Sequence, residues 1–183
     1  MKRLIGVLAL IFFVFLNSAF SNEKLINSLK EGGKLIFIRH ALAPGNGDPE
    51  NFNLKDCSSQ RNLSQEGINQ SKKIGLFFTR NKIQIDKVLS SEWCRCKDTA
   101  KHAFNDYKTF DALNSFYDTR FTKNKARQIK DLKKYISSWN SKKNLVLVTH
   151  FVVISETLSV GSASGEIIVS DKNFNIISSI KTN

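Results

Sequence analysis

The stretch that decides the fold is Leu35-Ile36-Phe37-Ile38-Arg39-His40, a short apolar run that ends in an adjacent arginine and histidine. Gly32-Gly33 precedes this run and Pro44-Gly45 follows it, so the pattern predicts a buried parallel strand. A second apolar run, 145–149, ends in the same way at His150. Ligands of open α/β sheets bind just beyond the carboxyl ends of the strands. Two strands that each deliver a histidine to one sheet edge therefore favour an enzyme.

The first residues predict a targeting segment that is not part of the fold. Lys2-Arg3 forms a basic start, and 4–16 is an apolar stretch with the length of a signal-peptide core. Ala19-Phe20-Ser21 then places small residues at a signal-peptidase site. We therefore expect a cleaved signal peptide over 1–21 and a periplasmic or secreted protein. The alternative is an uncleaved N-terminal anchor, for which the apolar stretch is short.

The rest of the chain, 22–183, has a length suited to one domain with one core. The full chain carries 28 Lys and Arg against 16 Asp and Glu, a formal net charge of +12. Basic residues spread along helices are typical of a solvated surface, and a positive field also attracts phosphorylated substrates or anionic membrane surfaces. Nucleic acid is not expected as a partner, because the chain lacks an aromatic-basic stacking motif and carries an export signal.

The cysteines predict one internal disulfide and one unpaired thiol. In an oxidising compartment, we expect Cys57 to pair with either Cys94 or Cys96. Either bridge would tie the loop that carries Arg61 to the segment that carries Arg95. A metal site is not expected, since no second pair of ligands lies at zinc-finger spacing.

The remaining pattern alternates strands and helices. Further strands are predicted at 86–90, 107–110, 166–170 and 175–180, the last two as a hairpin, and helices at 23–31, 64–78, 93–104, 128–139 and 152–160. This alternation predicts an α/β fold with three layers, α/β/α, around a mainly parallel central sheet. The polar stretch 42–60 is long for a plain connection and is predicted to be a lid or a binding loop.

Four side chains suggest chemistry on phosphate: Arg39, His40, Arg95 and His150. Phosphoryl transfer mainly needs positioning and positive charge around the phosphoryl oxygens, and arginine supplies a permanently charged fork of donors. A histidine can attack phosphorus when its other ring nitrogen is hydrogen-bonded. These residues therefore predict a phosphate pocket that needs neither a metal nor a cofactor.

Four motifs follow one another along the predicted domain. They are Arg39-His40-Ala41, Arg61-Asn62-Leu63-Ser64 with Gly67, Ser91-Glu92-Trp93-Cys94-Arg95 with Thr99-Ala100, and Val148-Thr149-His150. In this order they resemble the motifs of the histidine phosphatase superfamily, which also contains the cofactor-dependent phosphoglycerate mutases, and in particular its small exported members. Ala41 stands where the superfamily usually has glycine.

The resemblance implies a role for each matching residue. His40 would be the nucleophile that becomes phosphohistidine. Arg39 and Arg95 would hold the phosphoryl oxygens, and His150 would complete the pocket.

Other positions remain more open. Arg61 and Ser91 are expected to bind substrate, and Arg61 has the alternative role of orienting its loop. The chain lacks the glutamate that larger members of the superfamily use as general acid, so Asp118 is the candidate, followed by Glu92 and Glu166. An acid is needed to protonate an alkoxide leaving group, and it matters much less for an imidazole.

We therefore expect an exported, metal-independent phosphatase that hydrolyses a phosphomonoester or another phosphoryl group through phosphohistidine on His40. An open pocket suits a phosphorylated small molecule, glycan, lipid-linked sugar or protein, with no stable membrane insertion after signal cleavage. One alternative is a non-catalytic protein of the same fold that binds phosphate or phosphoglycan. Another is a membrane-tethered interaction protein.

Overall fold

The structure is a computed structural model and describes residues 23–182. The predicted signal peptide, 1–21, lies outside these residues. The strands are β1 (Leu35–Arg39), β2 (Ile85–Ser90), β3 (Lys108–Thr109), β4 (Asn144–Thr149), β5 (Ile167–Ser170) and β6 (Ile176–Ile180). The helices are α1 (23–31), α2 (Gln65–Arg80), α3 (Cys94–Phe104), α4 (Lys125–Ser138) and α5 (Phe151–Leu158). None of the helices in this part of the chain is both long and apolar enough to traverse a bilayer.

The strands form one mixed sheet in the order β3-β2-β4-β1-β5-β6. β1 to β4 run parallel where they pair, and β5 is antiparallel to both β1 and β6. β1 and β4 are neighbours, with Arg39 opposite Thr149. The next residues, His40 and His150, therefore leave the sheet side by side, and the backbone N–H of His40 donates to the carbonyl of Thr149 at 2.9 Å. The predicted α/β fold with a mainly parallel sheet is confirmed.

Helices cover both faces of the sheet because successive strand residues point to opposite sides. Ile36 and Ile38 of β1 pack with α1, α2 and α3 on one face. Leu35 and Phe37 pack with α4 and α5 on the other face. The central strands are apolar on both faces, which is why β1 and β4 read as continuous apolar runs in the sequence.

The start of α2 fixes the chain just beyond His40. Ser64 caps this helix as predicted, and its hydroxyl accepts from the backbone N–H of Gly67 at 3.1 Å. The backbone N–H of Ser64 donates to the carbonyl of Leu42 at 3.0 Å. A Cβ at Gly67 would lie 2.1 Å from that same carbonyl oxygen, so only glycine permits this approach.

The disulfide joins Cys57 to Cys94, and Cys96 is free and buried. Of the two predicted pairings, the structure therefore has the one with Cys94. The bridge holds the 42–60 loop against the first turn of α3, which also carries Arg95. The start of α4 lies earlier than predicted, because the turn Thr122–Asn124 continues directly into the helix.

Candidate active site

A cavity of about 240 Å³ lies beyond the carboxyl ends of β1 and β4. Its lining includes Arg39, His40, Arg95 and His150, the residues for which the sequence predicts a shared phosphate pocket. The ring centroids of His40 and His150 are 5.5 Å apart. The structure thus brings all four side chains to one cavity.

His40 is placed there as a neutral imidazole with one defined free nitrogen. Its Nδ1 lies 2.9 Å from the carbonyl oxygen of Ala41, which only accepts, so Nδ1 carries the proton. Nε2 therefore keeps its lone pair. The side chain is 3% exposed, and burial, followed by the charge of Arg95, lowers the pKa of His40 well below 6.5. A neutral imidazole with a fixed tautomer is the form that attacks phosphorus.

The tautomer of His150 is set by a chain of hydrogen bonds behind it. The amide of Asn114 is oriented by Glu92, since Nδ2 donates to Oε2 at 2.6 Å and Oδ1 accepts from the Glu92 N–H at 2.8 Å. The Ser91 hydroxyl then donates its one proton to Asn114 Oδ1 at 3.1 Å. It must accept from His150 Nε2, which is 2.9 Å away. Nε2 of His150 therefore carries the proton, and Nδ1 has the lone pair.

His150 is also held neutral in this structure. Burial is the largest cause that lowers its pKa well below 6.5, followed by the charge of Arg95. The buried thiol of Cys96 lies 3.5 Å from His150 Nε2, and burial raises the pKa of that thiol to about 12. The thiol therefore stays protonated and adds no negative charge beside the imidazole.

The predicted role of Ser91 in substrate binding is corrected. Ser91 is fully buried and is not among the residues that line the cavity in the described part of the chain. Its hydroxyl is already committed to Asn114 and His150. Ser91 acts as a positioning residue for His150.

The guanidinium groups supply donors at the cavity. Arg39 Nη1 donates to the carbonyl of Ser162 at 2.6 Å. The Nε atoms of Arg39 and Arg95 are both buried, and neither has a hydrogen-bond partner within residues 23–182. Buried donors of this kind normally have an acceptor, so their presence at the cavity favours an anion as the ligand.

Asp48 is a member of the site that nothing in the sequence pattern singled out. Its carboxylate accepts from Arg95 Nη1 at 2.8 and 3.1 Å, from Trp93 Nε1 at 3.0 Å and from the Arg61 backbone N–H at 3.1 Å. These bonds use the four acceptor positions of its two oxygens. Asp48 thus aligns Arg95 and fastens the 42–60 loop to α3. In the sequence it follows Gly47 and precedes Pro49, which is typical of an ordinary turn.

Arg61 faces the cavity and also holds its own loop. Its Nε donates to the carbonyl of Gly47 at 2.7 Å, and its Nη1 donates to the carbonyl of Ala43. These contacts favour the orienting role for Arg61. Its guanidinium still lines the cavity and adds to the positive charge that lowers the pKa of His40.

The candidate acid Asp118 lies at the cavity but is ionised. Arg120 grips its carboxylate at 2.7 Å and 3.0 Å and lowers the pKa of Asp118 to about 2. The two further candidates are not among the lining residues in the described chain. Glu92 accepts from Asn114, and Glu166 accepts from the backbone N–H of Ala163 at 2.8 Å. None of the three predicted acids therefore stands ready to donate a proton near neutral pH.

Within residues 23–182, no group of three or more histidine, cysteine and carboxylate side chains is arranged to hold a metal ion. No protein-family model matches the sequence, and no curated protein matches it either.

The architecture is shared with solved structures, and the chain has the fold of the histidine phosphatase superfamily. The resemblance predicted from the motifs is thereby confirmed at the level of the fold.

Among these structures is the protein histidine phosphatase SixA complexed with tungstate, with 13% identity, a TM-score of 0.57 and coverage of 81% of this chain and 97% of that one. The phosphoglycerate mutase of Thermus thermophilus gives 14%, 0.58, 81% and 98%. A mycobacterial glucosyl-3-phosphoglycerate phosphatase complexed with VO3 gives 14%, 0.54, 75% and 92%.

Proposed function

We propose that the protein is an exported, metal-independent phosphatase that works through a phosphohistidine on His40. The observation that carries this proposal is the state of His40, a buried neutral imidazole whose Nδ1 proton is bound by Ala41 and whose Nε2 is free. Three guanidinium groups, Arg39, Arg61 and Arg95, share its cavity. A nucleophile beside a set of fixed positive charges is what phosphoryl transfer requires.

In the first step, Arg39 and Arg95 bind the oxygens of the phosphoryl group. Nε2 of His40 forms a bond to phosphorus, and the bond from phosphorus to the leaving group breaks, so that the leaving group keeps the electron pair. The positive charge that develops on the His40 ring is stabilised by the Nδ1–H bond to Ala41. In the second step, water attacks phosphorus, phosphate leaves, and His40 is regenerated.

His150 responds to the charge of the substrate. Its Nδ1 is the nitrogen with the lone pair, since Nε2–H is bound to Ser91. A phosphoryl dianion in the cavity favours the protonated imidazole. His150 then donates from Nδ1 to a phosphoryl oxygen and stabilises the transition state.

Export is the part of the proposal that rests on 1–21 of the sequence. The disulfide between Cys57 and Cys94 supports it, because structural disulfides persist mainly in oxidising compartments. Sequencing of the N-terminus of the protein recovered from its native cell tests this part. A start at Asn22 in a periplasmic or secreted fraction is expected, and an intact Met1 would contradict it.

The catalytic part is tested with p-nitrophenyl phosphate and two histidine variants. We expect His40→Ala to lower turnover at least a thousandfold, since it removes the nucleophile. His102→Ala is the matched control, because His102 is the third histidine of the chain and is exposed on α3. Turnover that survives in His40→Ala would overturn the assignment.

The second candidate function is a non-catalytic phosphate-binding protein. It is favoured by one observation, the ionised state of Asp118, which leaves an alkoxide without a proton donor. Binding of inorganic phosphate by the wild type, with no turnover of any phosphate ester, would establish it.

A further inference from the structure

The cavity has two chemically different ends. We call the basic group His40, Arg39, Arg95 and His150 the inner end, and these histidines are only 3% and 4% exposed. The opposite part of the lining is aromatic, and we call it the outer end: Phe52, Tyr117, Phe121 and Phe151. Tyr117 is 59% exposed and Phe151 42% exposed, so the outer end faces the solvent.

The aromatic wall is continuous from the inner end outward. The ring of Trp93 packs edge-on against His150 at 5.3 Å between centroids. Phe52 and Phe121 lie 5.8 and 5.6 Å from the Trp93 ring and 5.8 Å from each other. A flat group attached to a phosphoryl group at His40 would therefore meet ring faces and edges as it leaves the inner end.

Two rings of the outer end are exposed although they stand next to charged or polar groups. Phe151 lies under the guanidinium of Arg39, which is 5.6 Å from its centroid. The hydroxyl of Tyr117 accepts from Asn46 Nδ2 at 3.4 Å, which links the 42–60 loop to the far side of the cavity. Exposed aromatic side chains that surround an anion site are suited to a ligand that carries a ring.

The polar groups of the outer end are already occupied by one another. Asp118 binds Arg120, and Arg120 stacks over Phe52 at 5.1 Å. Asn46 binds Tyr117, and Ser115 accepts from the Tyr117 backbone N–H at 3.3 Å. A sugar ring needs hydrogen-bond partners for its hydroxyl groups, whereas an aromatic ring does not. The outer end therefore favours the aromatic ring.

The chemistry of the leaving group leads to the same class independently. Asp48 and Asp118 are the carboxyl groups of the described cavity lining. The oxygens of Asp48 are fully used as acceptors, and Arg120 holds Asp118 ionised. A leaving group that departs without a proton must be a weak base. A phenol, with a pKa of about 10, meets that condition far better than an alcohol.

We infer that the outer end is a leaving-group subsite for an aromatic ring that carries the phosphoryl group on a phenol oxygen or an imidazole nitrogen. This inference rests on the proposed function and names its substrate class. In the reaction, the bond from His40 Nε2 to phosphorus forms as the bond from phosphorus to the ring oxygen or nitrogen breaks. The ring keeps the electron pair and takes a proton from water, and a second water releases phosphate from His40.

Binding of two phosphonates that cannot be hydrolysed tests the subsite apart from catalysis. Phenylphosphonate and methylphosphonate share the charged group and differ in the ring. We expect calorimetry on the full chain to show at least about fivefold tighter binding of phenylphosphonate. Tyr117→Ala should weaken phenylphosphonate about threefold to tenfold and leave methylphosphonate within twofold, and Tyr117→Phe should restore the ring effect. Ile176→Ala, an exposed apolar residue on β6, is the matched control.

Turnover distinguishes the two sources of the ring. Phenyl phosphate, phosphoimidazole, benzyl phosphate and glucose 6-phosphate are compared by kcat/KM. Benzyl phosphate keeps the ring but leaves as an alkoxide, so we expect it to be slower than phenyl phosphate. The faster of phenyl phosphate and phosphoimidazole identifies the oxygen or the nitrogen source.

The failures of the two proposals are distinguishable. If neither phosphonate binds, or if no compound is turned over, the proposed phosphatase function is wrong. If turnover occurs but the two phosphonates bind equally, or glucose 6-phosphate is the fastest substrate, the function stands and the aromatic subsite is wrong.

Discussion

The cavity has one half built from strand ends and one half built from loops. Arg39, His40 and His150 follow β1 and β4, whose pairing in register leaves little choice of position. Asp48 and Arg61 come from the connection between β1 and α2, which depends on a disulfide and an ion pair to reach the cavity. The comparison teaches that the nucleophile is fixed by the sheet, whereas the alignment of Arg95 and the loop wall is conditional on contacts outside the sheet.

The largest effect is expected in the strand half. Arg39→Leu removes a permanent charge and donors beside His40, and we expect kcat/KM for p-nitrophenyl phosphate to fall about a hundredfold to a thousandfold. Arg80→Leu at the exposed end of α2 is the matched control and should change kcat/KM less than twofold. A loss below tenfold in Arg39→Leu would show that the strand half does not carry the catalysis.

The loop half should be the part that a lost disulfide releases. In the double variant Cys57→Ser, Cys94→Ala, we expect the free energy of unfolding to fall by about 2–4 kcal/mol, because the unfolded chain is no longer cross-linked. Urea unfolding measures the change. Dithiothreitol should destabilise the wild type and leave the double variant unaltered. Equal stability of the two proteins would mean that the bridge is not what secures the loop.

Asp48→Asn separates alignment from charge. Loss of the carboxylate leaves Arg95 less well held, and we expect kcat to fall about tenfold to a hundredfold. Binding of inorganic phosphate should not weaken, because the variant removes a negative charge that competes for Arg95. The inhibition constant of phosphate measures this, with the exposed Asp106→Asn as control. Weaker phosphate binding with unchanged kcat would contradict the alignment role.

The smallest effect is expected behind His150. Ser91→Ala removes the acceptor of His150 Nε2–H, and we expect kcat to fall about tenfold, with Ser90→Ala as an equally buried control. The pH profile adds a readout that packing alone would not move.

In the wild type, the lowered pKa of His40 keeps its imidazole neutral, so kcat/KM should stay level as the pH falls through 6.5 and decline only below it. Ser91→Ala should change the shape of the kcat profile, because it frees the tautomer of His150. Identical profiles in the two proteins would exclude the positioning role of Ser91.

The sequence predicted the strand half well because its determinants are local. An apolar run that ends in a histidine specifies both the strand and the side chain at its end, and the Ser64 cap is likewise a contact between near neighbours. The choice of Cys94 over Cys96 was not available from the sequence. Two residues so close on one helix differ only in the direction that the fold gives them, Cys94 toward the loop and Cys96 toward His150.

The loop half was poorly predicted because its contacts are long-range. Asp48 lies 47 positions from Arg95 along the chain, and no local pattern marks the pair. Asp118 was chosen for its place near a missing glutamate, but Arg120, two residues further on, neutralises it as an acid. Ser91 belongs to a motif, yet the motif does not state on which side of His150 the hydroxyl lies.

The central claim is that Nε2 of His40 attacks phosphorus, and rapid quench during turnover of ³²P-labelled phenyl phosphate tests it most directly. Quenching in alkali preserves a bond between nitrogen and phosphorus, and peptide mapping then locates the label. The account predicts label on Nε2 of His40 in the wild type and none in His40→Ala. Label on His150, or steady turnover with no labelled histidine, would contradict it.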